Sequence, residues 1–174
     1  MTDLLGDFAT LVRLHQNALY RYGRGLGLDH DTALDLVQEA FIKAHERRDQ
    51  CRDGAHARSW LFRIFRNAMI DWARNVRRTE VPLLDVEEPA HDDDFAERHA
   101  LREAIGTALA SLSPLLREAF LLRHELGHSY EEIAELAGVT VSAAKMRVAR
   151  AHAALRDTLD PDYGDVTSAG SRSS

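Results

Sequence analysis

The sequence is poor in the residues and runs that define several classes of protein. It holds one cysteine, Cys51, which excludes an internal disulfide framework, and four prolines in 174 residues. No run approaches the roughly 18 apolar residues of a membrane span, and the first residues lack the positive start and apolar stretch of a secretory signal. Runs of β-branched residues are scarce. These absences favour a cytoplasmic, helical protein without membrane insertion.

The residues that are abundant point the same way. Ala, Leu, Arg and Glu dominate, and these residues favour helix. The length allows one domain or two small ones. Cys51 stands in a polar stretch between Arg48 and Arg52, where basic neighbours could lower the pKa of its thiol. A redox-sensing role and an incidental cysteine both fit this pattern.

Charge is distributed unevenly along the chain. The net charge is −6, yet residues 43–78 carry ten Lys and Arg against four acids, and residues 140–156 carry four bases and no acid. Between these basic blocks, residues 79–98 carry eight acids and one Arg. Because local potential decides where a polyanion docks, the two basic blocks are compatible with nucleic-acid binding despite the acidic total.

Apolar spacing predicts three helices in residues 1–78. The first runs from about Asp3 to Tyr22 and is ended by the glycines that follow. Asp29 or Asp31 is predicted to cap the second helix, and Ser59 the third. The second helix is predicted to bury Ala33, Leu36, Val37, Ala40, Phe41 and Ala44. The third is predicted to bury Leu61, Ile64, Phe65, Ala68, Trp72 and Val76.

The second half of the chain predicts four more helices after a linker. Residues 79–96 hold two prolines and an acidic run, which indicates a flexible linker, and residues from 161 onward indicate a disordered tail. In the second domain, residues 97–160, Ser113-Pro114 and the capping box of Ser129 and Glu132 mark helix starts. Gly138 is predicted to turn the chain into a last helix that Thr140 or Ser142 caps.

Three groups of residues are candidates for binding. Residues 129–150 fit a helix-turn-helix whose last helix presents Lys145, Arg147 and Arg150 to the major groove, where basic side chains contact guanine. Two packed helices with a solvated basic face fit the same pattern. On the third helix Arg63, Arg66, Arg74 and Arg77 fall near one face. Three aromatic residues interleave with these arginines, an arrangement that suits single-stranded DNA. For Trp72 a core position is the better interpretation, whereas the roles of Trp60 and Phe62 stay open.

The third group lies on the second helix. Asp35, Gln38, Glu39 and Ile42 are predicted to form an exposed patch, because their neighbours Leu36 and Val37 point inward. Spacing alone favours a solvated face here.

Motif order adds a resemblance to a known family. Asp35-Leu-Val-Gln-Glu-Ala-Phe, Trp60-Leu-Phe-Arg-Ile-Phe-Arg-Asn-Ala-Met-Ile-Asp, Leu112-Ser-Pro-Leu-Leu-Arg-Glu-Ala-Phe and Ser129-Tyr-Glu-Glu-Ile-Ala follow one another. In this order they resemble the extracytoplasmic-function sigma factors of the sigma-70 family, over roughly residues 5–78 and 97–159. The resemblance implies an all-α fold of two small helical domains joined by a flexible acidic linker: a sigma region 2 bundle and a sigma region 4 helix-turn-helix.

The resemblance also implies partners and site residues. Core RNA polymerase would bind Asp35, Gln38 and Glu39; the minus-ten promoter element would bind Arg63, Arg66, Asn67 and Arg74; and the minus-thirty-five element would bind Lys145, Arg147 and Arg150. An anti-sigma factor is the implied regulatory partner, in a stress or envelope response. The family often has Thr-Val-Lys-Ser-Arg where this chain has Ala143-Ala144-Lys145-Met146-Arg147, so its sequence preference does not carry over.

Two other functions are compatible with parts of the sequence. A stand-alone transcriptional regulator would use the helix-turn-helix without polymerase. His124-Glu125-Leu126-Gly127-His128 matches the H-E-x-x-H motif of zinc hydrolases, but Gly127 and the helix start at Ser129 should keep the two imidazoles off one helical face. We therefore expect no catalytic residues, no metal and no cofactor.

Overall fold

A computed structural model describes residues 8–51, 56–78 and 96–159, and every regular element in these ranges is helical. The chain divides into two compact units, Met1–Pro89 and Ala90–Ser174. The predicted all-α class with two helical domains is confirmed. Most of the predicted linker, residues 79–95, and the predicted tail lie outside the described residues. None of the described helices combines the length and apolar character needed to cross a bilayer.

The first unit packs three helices against one another. They are α1 (Phe8–Gly25), α2 (His30–Glu46) and α3 (Ala57–Arg78), with a 3-10 turn at Arg48–Gln50 after α2. Cys51 follows this turn and is buried. Its burial removes the solvent access that a redox-sensing thiol needs.

Helix α2 has the start and the buried face that were predicted. The backbone N–H of Thr32 donates to Asp29 Oδ1 at 2.8 Å, and the Thr32 hydroxyl donates to Asp29 Oδ2 at 2.6 Å. These bonds lower the pKa of Asp29 because they favour its ionised form. All six residues of the predicted apolar stripe are buried: Ala33, Leu36, Val37, Ala40, Phe41 and Ala44.

The glycines after Tyr22 do not end α1 where predicted. Gly23 lies inside the helix and is buried, and the helix ends two residues later. A Cβ on Gly23 would lie 3.1 Å from Leu28 Cδ1 and 3.2 Å from Phe65 Cζ. The glycine therefore serves close packing, and the reversal of the chain falls at Gly27, where φ is 97°.

Helix α3 begins earlier than predicted and is buried mainly in its first half. It starts at Ala57, so Ser59 lies within the first turn, buried, and is not the cap. Leu61, Ile64, Phe65 and Ala68 are buried as predicted. Trp72 and Val76 are only half-buried, and none of residues 70–76 is fully buried.

The second unit assembles around α7. Its elements are α4 (Ala96–Ser111), α5 (Pro114–Phe120) continued by a π-helical turn (Leu121–Glu125), α6 (Tyr130–Ala137) and α7 (Val141–Leu159). Ala108 and Leu112 pack with Ala151 and Leu155 in one apolar cluster. Ser113 precedes α5 with Pro114 at the first position, as predicted, although its side chain makes no capping hydrogen bond.

Candidate nucleic-acid and protein interfaces

The exposed face of α2 combines polar and apolar side chains. Asp35, Gln38 and Glu39 are exposed, and Glu39 forms an ion pair with Lys43 one turn later. Ile42 lies on the same face and is 60% exposed. Leu34, one turn before Gln38, is 42% exposed. Two apolar side chains are therefore exposed among the polar groups of this helix.

Four of the arginine and asparagine candidates on α3 share a face. Positions 63, 66, 67 and 74 follow spacings of three, four and seven residues, which place them along one side of a helix. Arg63, Asn67 and Arg74 are exposed, and Arg66 is half-buried. The Arg74 guanidinium lies 3.6 Å from the Asp71 carboxylate, a surface contact between exposed groups. The side chain of Arg77 lies outside the described residues.

The aromatic residues of α3 do not stand where a base-stacking surface would need them. Trp60 is 8% exposed and Phe62 is fully buried, with the Phe62 and Tyr22 ring centroids 5.8 Å apart. The sequence did not decide whether Trp60 and Phe62 stack on DNA bases. Their burial excludes that role. Trp72, which the apolar pattern assigned to the core, is half-buried. It is the one of the three with surface left for a ligand.

The helix-turn-helix of the second unit forms from the signals that predicted it. The Ser129 hydroxyl accepts from Glu132 N at 3.1 Å, and the Glu132 carboxylate accepts from Ser129 N at 2.7 Å, so the capping box is complete. Gly138 adopts the left-handed conformation with φ 66°. The Thr140 hydroxyl accepts from Ala143 N at 3.2 Å, which decides between the two predicted caps of α7.

The solvent face of α7 differs from the predicted row of bases. Lys145 and Arg150 are exposed, whereas Arg147 is half-buried. With about 100° between successive residues, Lys145 and Arg150 flank the outward face. Its middle consists of other residues: Ser142, Met146, Ala149 and Ala153, all exposed. The basic residues mark only the flanks of this face of α7, whereas the helical period indicates the residues in its middle.

Tyr130 lies close to two basic side chains of this unit. Its ring lies 4.7 Å from the guanidinium carbon of Arg123 and 5.7 Å from Lys145 Nζ. Arg123 also donates to the backbone oxygen of His128 at 2.9 Å. The sequence alone does not indicate this tyrosine, because only the folded chain brings α6, α7 and the π turn together around it.

The two histidines of the H-E-x-x-H match occupy different environments. His124 is exposed, and His128 is fully buried with Nδ1 3.6 Å from Glu132 Oε2. Gly127 between them has φ 67°, which breaks the helical register. Within residues 8–51, 56–78 and 96–159, no group of three or more His, Cys, Asp or Glu side chains is placed to hold a metal ion. The match does not form the arrangement that zinc hydrolysis needs.

Comparison with known proteins gives two family matches and relatives that match over most of their length. Residues 11–79 match Sigma-70 region 2, and residues 102–155 match Sigma-70, region 4. The RNA polymerase sigma-E factor of Streptomyces avermitilis is 34% identical over 154 residues, covering 88% of this chain and 86% of the relative. The ECF RNA polymerase sigma factor SigC of Mycobacterium tuberculosis is 34% identical over 156 residues, covering 87% and 82%.

A solved structure is similar as well. The sigma factor RpoE from Bartonella quintana, crystallised in complex with the anti-sigma factor NepR, is 31% identical with a TM-score of 0.73. The similarity covers 88% of this chain and 96% of that one.

Proposed function

The chain belongs to the extracytoplasmic-function group of RNA polymerase sigma factors in the sigma-70 family, and from this membership we propose that it binds core RNA polymerase and directs promoter-specific initiation. One observation supports the proposal most strongly: both matched regions, 2 and 4, fold as separate helical units of one chain. We propose the same bounds as the sequence suggests, region 2 in residues 1–78 and region 4 in 97–160, joined by an acidic linker.

The exposed face of α2 is the proposed contact with core polymerase. Asp35, Gln38 and Glu39 supply polar groups, and Ile42 supplies an apolar surface within the same face. Interfaces gain most from residues that become fully desolvated at their centre. The isoleucine gives this face such a centre, and the polar residues around it set the orientation of the partner.

The exposed side of α3 is the proposed contact with the minus-ten element. Arg63, Arg66, Asn67 and Arg74 present cationic and amide groups in a line that can follow a phosphate backbone. Trp72 is half-buried and, nine residues after Arg63, lies on the opposite side of the helix from this line. Trp60 and Phe62 have no part in this proposal because they are buried.

Helix α7 is the proposed reader of the minus-thirty-five element. Lys145 and Arg150 flank its outward face, where they can reach phosphates or base edges on either side of the groove. Arg147 is half-buried and has less freedom to reach the groove. The middle of the face is small or apolar, so part of the sequence reading would fall to shape and to methyl contacts.

The proposal includes regulation and excludes catalysis. The Bartonella quintana relative was crystallised with an anti-sigma factor, and we extend that kind of partner to this chain. It would act in the cytoplasm, in a stress or envelope response, and carry no catalytic activity of its own. Free protein should bind DNA weakly because each unit makes few phosphate contacts, and polymerase would raise the effective concentration of both.

Transcription with purified core RNA polymerase on a pool of genomic upstream fragments tests the proposal. Discrete transcripts should appear only when the protein is added, and their start sites should share two upstream elements. A protein that shifts duplex DNA but neither yields transcripts nor co-migrates with core polymerase would instead be a stand-alone regulator.

A pair of matched variants tests the α2 face. Gln38→Ala with Glu39→Ala should remove core-polymerase binding and leave the helical circular dichroism unchanged. The control, Asp49→Ala with Gln50→Ala, deletes one carboxylate and one amide from the exposed 3-10 turn just beyond α2. Equal binding by the two double variants would overturn the assignment of this face.

A further inference from the structure

Two histidines from different elements meet on the surface of the second unit. His124 lies in the π turn and His152 lies on α7, 28 residues later. Their Nε2 atoms are 2.6 Å apart, and both side chains are exposed. The function proposed above uses neither residue.

The position of the pair is set by a cluster of three rings. Phe120 lies 4.8 Å from the His124 ring centroid and 5.4 Å from that of His152, and the two imidazole centroids are 4.5 Å apart. The imidazoles stand nearly perpendicular, at 88°. The π-helical turn that carries His124 continues α5, and α5 packs on α7, so both histidines stand on helical elements and not on a loop.

The hydrogen bond between the two rings involves a neutral imidazole, the form that binds metals. An Nε2 to Nε2 hydrogen bond requires that one ring accept, so at least one imidazole is neutral. Partial burial, together with the charges of His152 and Arg123, lowers the pKa of His124. The Arg123 guanidinium is itself engaged by the His128 carbonyl and the Tyr130 ring.

We propose that His124 and His152 form a two-ligand site for a divalent transition-metal ion such as Ni²⁺ or Zn²⁺, bound through both Nε2 atoms. Imidazole nitrogen suits these ions, whereas Mg²⁺ prefers oxygen. With metal–nitrogen bonds of about 2.0–2.1 Å, two nitrogens of one coordination shell lie about 3 Å apart. Small rotations of two exposed side chains open the 2.6 Å separation that far. Water would complete the coordination.

This site differs from the one that the H-E-x-x-H match suggests. It uses His124 but not His128, which is fully buried, and its second ligand comes from α7. A bound ion would link the π turn to α7, the helix that also carries Lys145. Metal binding should therefore stabilise the second unit, because the site does not exist in the unfolded chain.

Calorimetric titration of the untagged full chain with NiCl₂ at pH 7.5 tests the proposal. One ion per chain should bind, and His124→Ala and His152→Ala should each weaken binding at least about tenfold, the scale on which metal sites respond even to lost supporting groups. His45→Ala is the matched control, since His45 is exposed and lies on α2 in the other unit. MgCl₂ should give no binding.

A second measurement separates lost ligands from lost structure. Circular dichroism should show both variants folded, and saturating Ni²⁺ should raise the thermal midpoint of the wild type and of His45→Ala but not of His124→Ala or His152→Ala. The proposal fails if the double variant His124→Ala with His152→Ala binds Ni²⁺ as tightly as the wild type, or if His45→Ala loses binding equally.

Discussion

Lys145 Nζ lies 5.7 Å from the centre of the Tyr130 ring, so a base on α7 rests against the first residue of α6. The same ring lies 4.7 Å from the guanidinium carbon of Arg123. Cations are attracted to the negative face of an aromatic ring, which limits the conformations of a long lysine side chain. Tyr130 thus positions the Lys145 ammonium group, which is a proposed DNA contact.

Replacement of Tyr130 by leucine should weaken binding to the minus-thirty-five element. The contact preorganises Lys145 and is worth about 0.5–1 kcal/mol, so its removal should lower affinity by at most about two- to fivefold. Tyr130→Phe retains the ring and should bind as the wild type does. Affinity of each holoenzyme for promoter DNA provides the measurement, and a phenylalanine variant as weak as the leucine variant would show that the hydroxyl, rather than the ring, is responsible.

Met146 should determine part of the promoter preference. It is 49% exposed in the middle of the outward face of α7. An apolar side chain there can contact the methyl group of thymine, and burial of one such group contributes about 0.8 kcal/mol, roughly a fourfold preference. Selection from promoters with a randomised minus-thirty-five element should show a thymine preference that Met146→Ser loses.

Leu159→Ser is the control for that selection. Leu159 is equally exposed, at 51%, but lies at the far end of the same helix. Its replacement should leave the selected sequences unchanged. Identical preferences in the wild type and in Met146→Ser would exclude a role of the methionine in recognition.

Elements with a strong local signal could be predicted from the sequence. Asp29 caps α2 and the capping box of Ser129 and Glu132 opens α6, because each signal depends on residues within one helical turn. The buried stripe of α2 followed from its helical period. Local chemistry determines these features, so no tertiary information was needed to find them.

Features that depend on a second element could not be predicted in this way. Gly23 was predicted to end α1, because the local sequence does not show that Phe65 of α3 packs against this glycine. Phe62 looked available because its covering partner, Tyr22, comes from α1. His124 and His152 are 28 residues apart, and nothing in their local sequence indicates that they meet.

Stability of the second unit should fall as the pH drops below the ordinary range of histidine. The pKa of His124 is lowered in the folded chain by partial burial and by the charges of His152 and Arg123. The unfolded chain therefore takes up this proton first. The contribution to stability is complete above the unfolded pKa of about 6.5 and is lost as the pH falls toward the lower folded value.

The difference between the wild type and His124→Gln isolates this effect from other groups, including His15, whose pKa is also lowered. Thermal midpoints by circular dichroism at pH 7.5 and 5.5 should differ less in the variant than in the wild type. Both tryptophans lie on α3, so their fluorescence follows the first unit and should show no such difference. An identical pH response of the two proteins would contradict the prediction.

Gly23→Val should destabilise the first unit, because the site has no room for a branched side chain. The Cβ alone would lie 3.1 Å from Leu28 Cδ1 and 3.2 Å from Phe65 Cζ, and valine adds two methyl groups. Overpacking of this kind destabilises by about 1–3 kcal/mol. Denaturant unfolding followed by circular dichroism, which reports on the helices of both units, measures it. Gly106→Val is the control, since nothing lies within 4 Å of a Cβ at that exposed helical position.

A second substitution shows whether the loss comes from the crowding itself. Leu28→Ala alone should destabilise because it opens a cavity in a buried site. Combined with Gly23→Val it makes room for the new methyl groups, so the double variant should lose less stability than the two single variants together. Additive losses would mean that valine acts on the helix backbone and not on the contact with Leu28. Coupling would establish that Gly23 is required by the close approach of its neighbours, which explains why a glycine stands inside a helix that it would otherwise weaken.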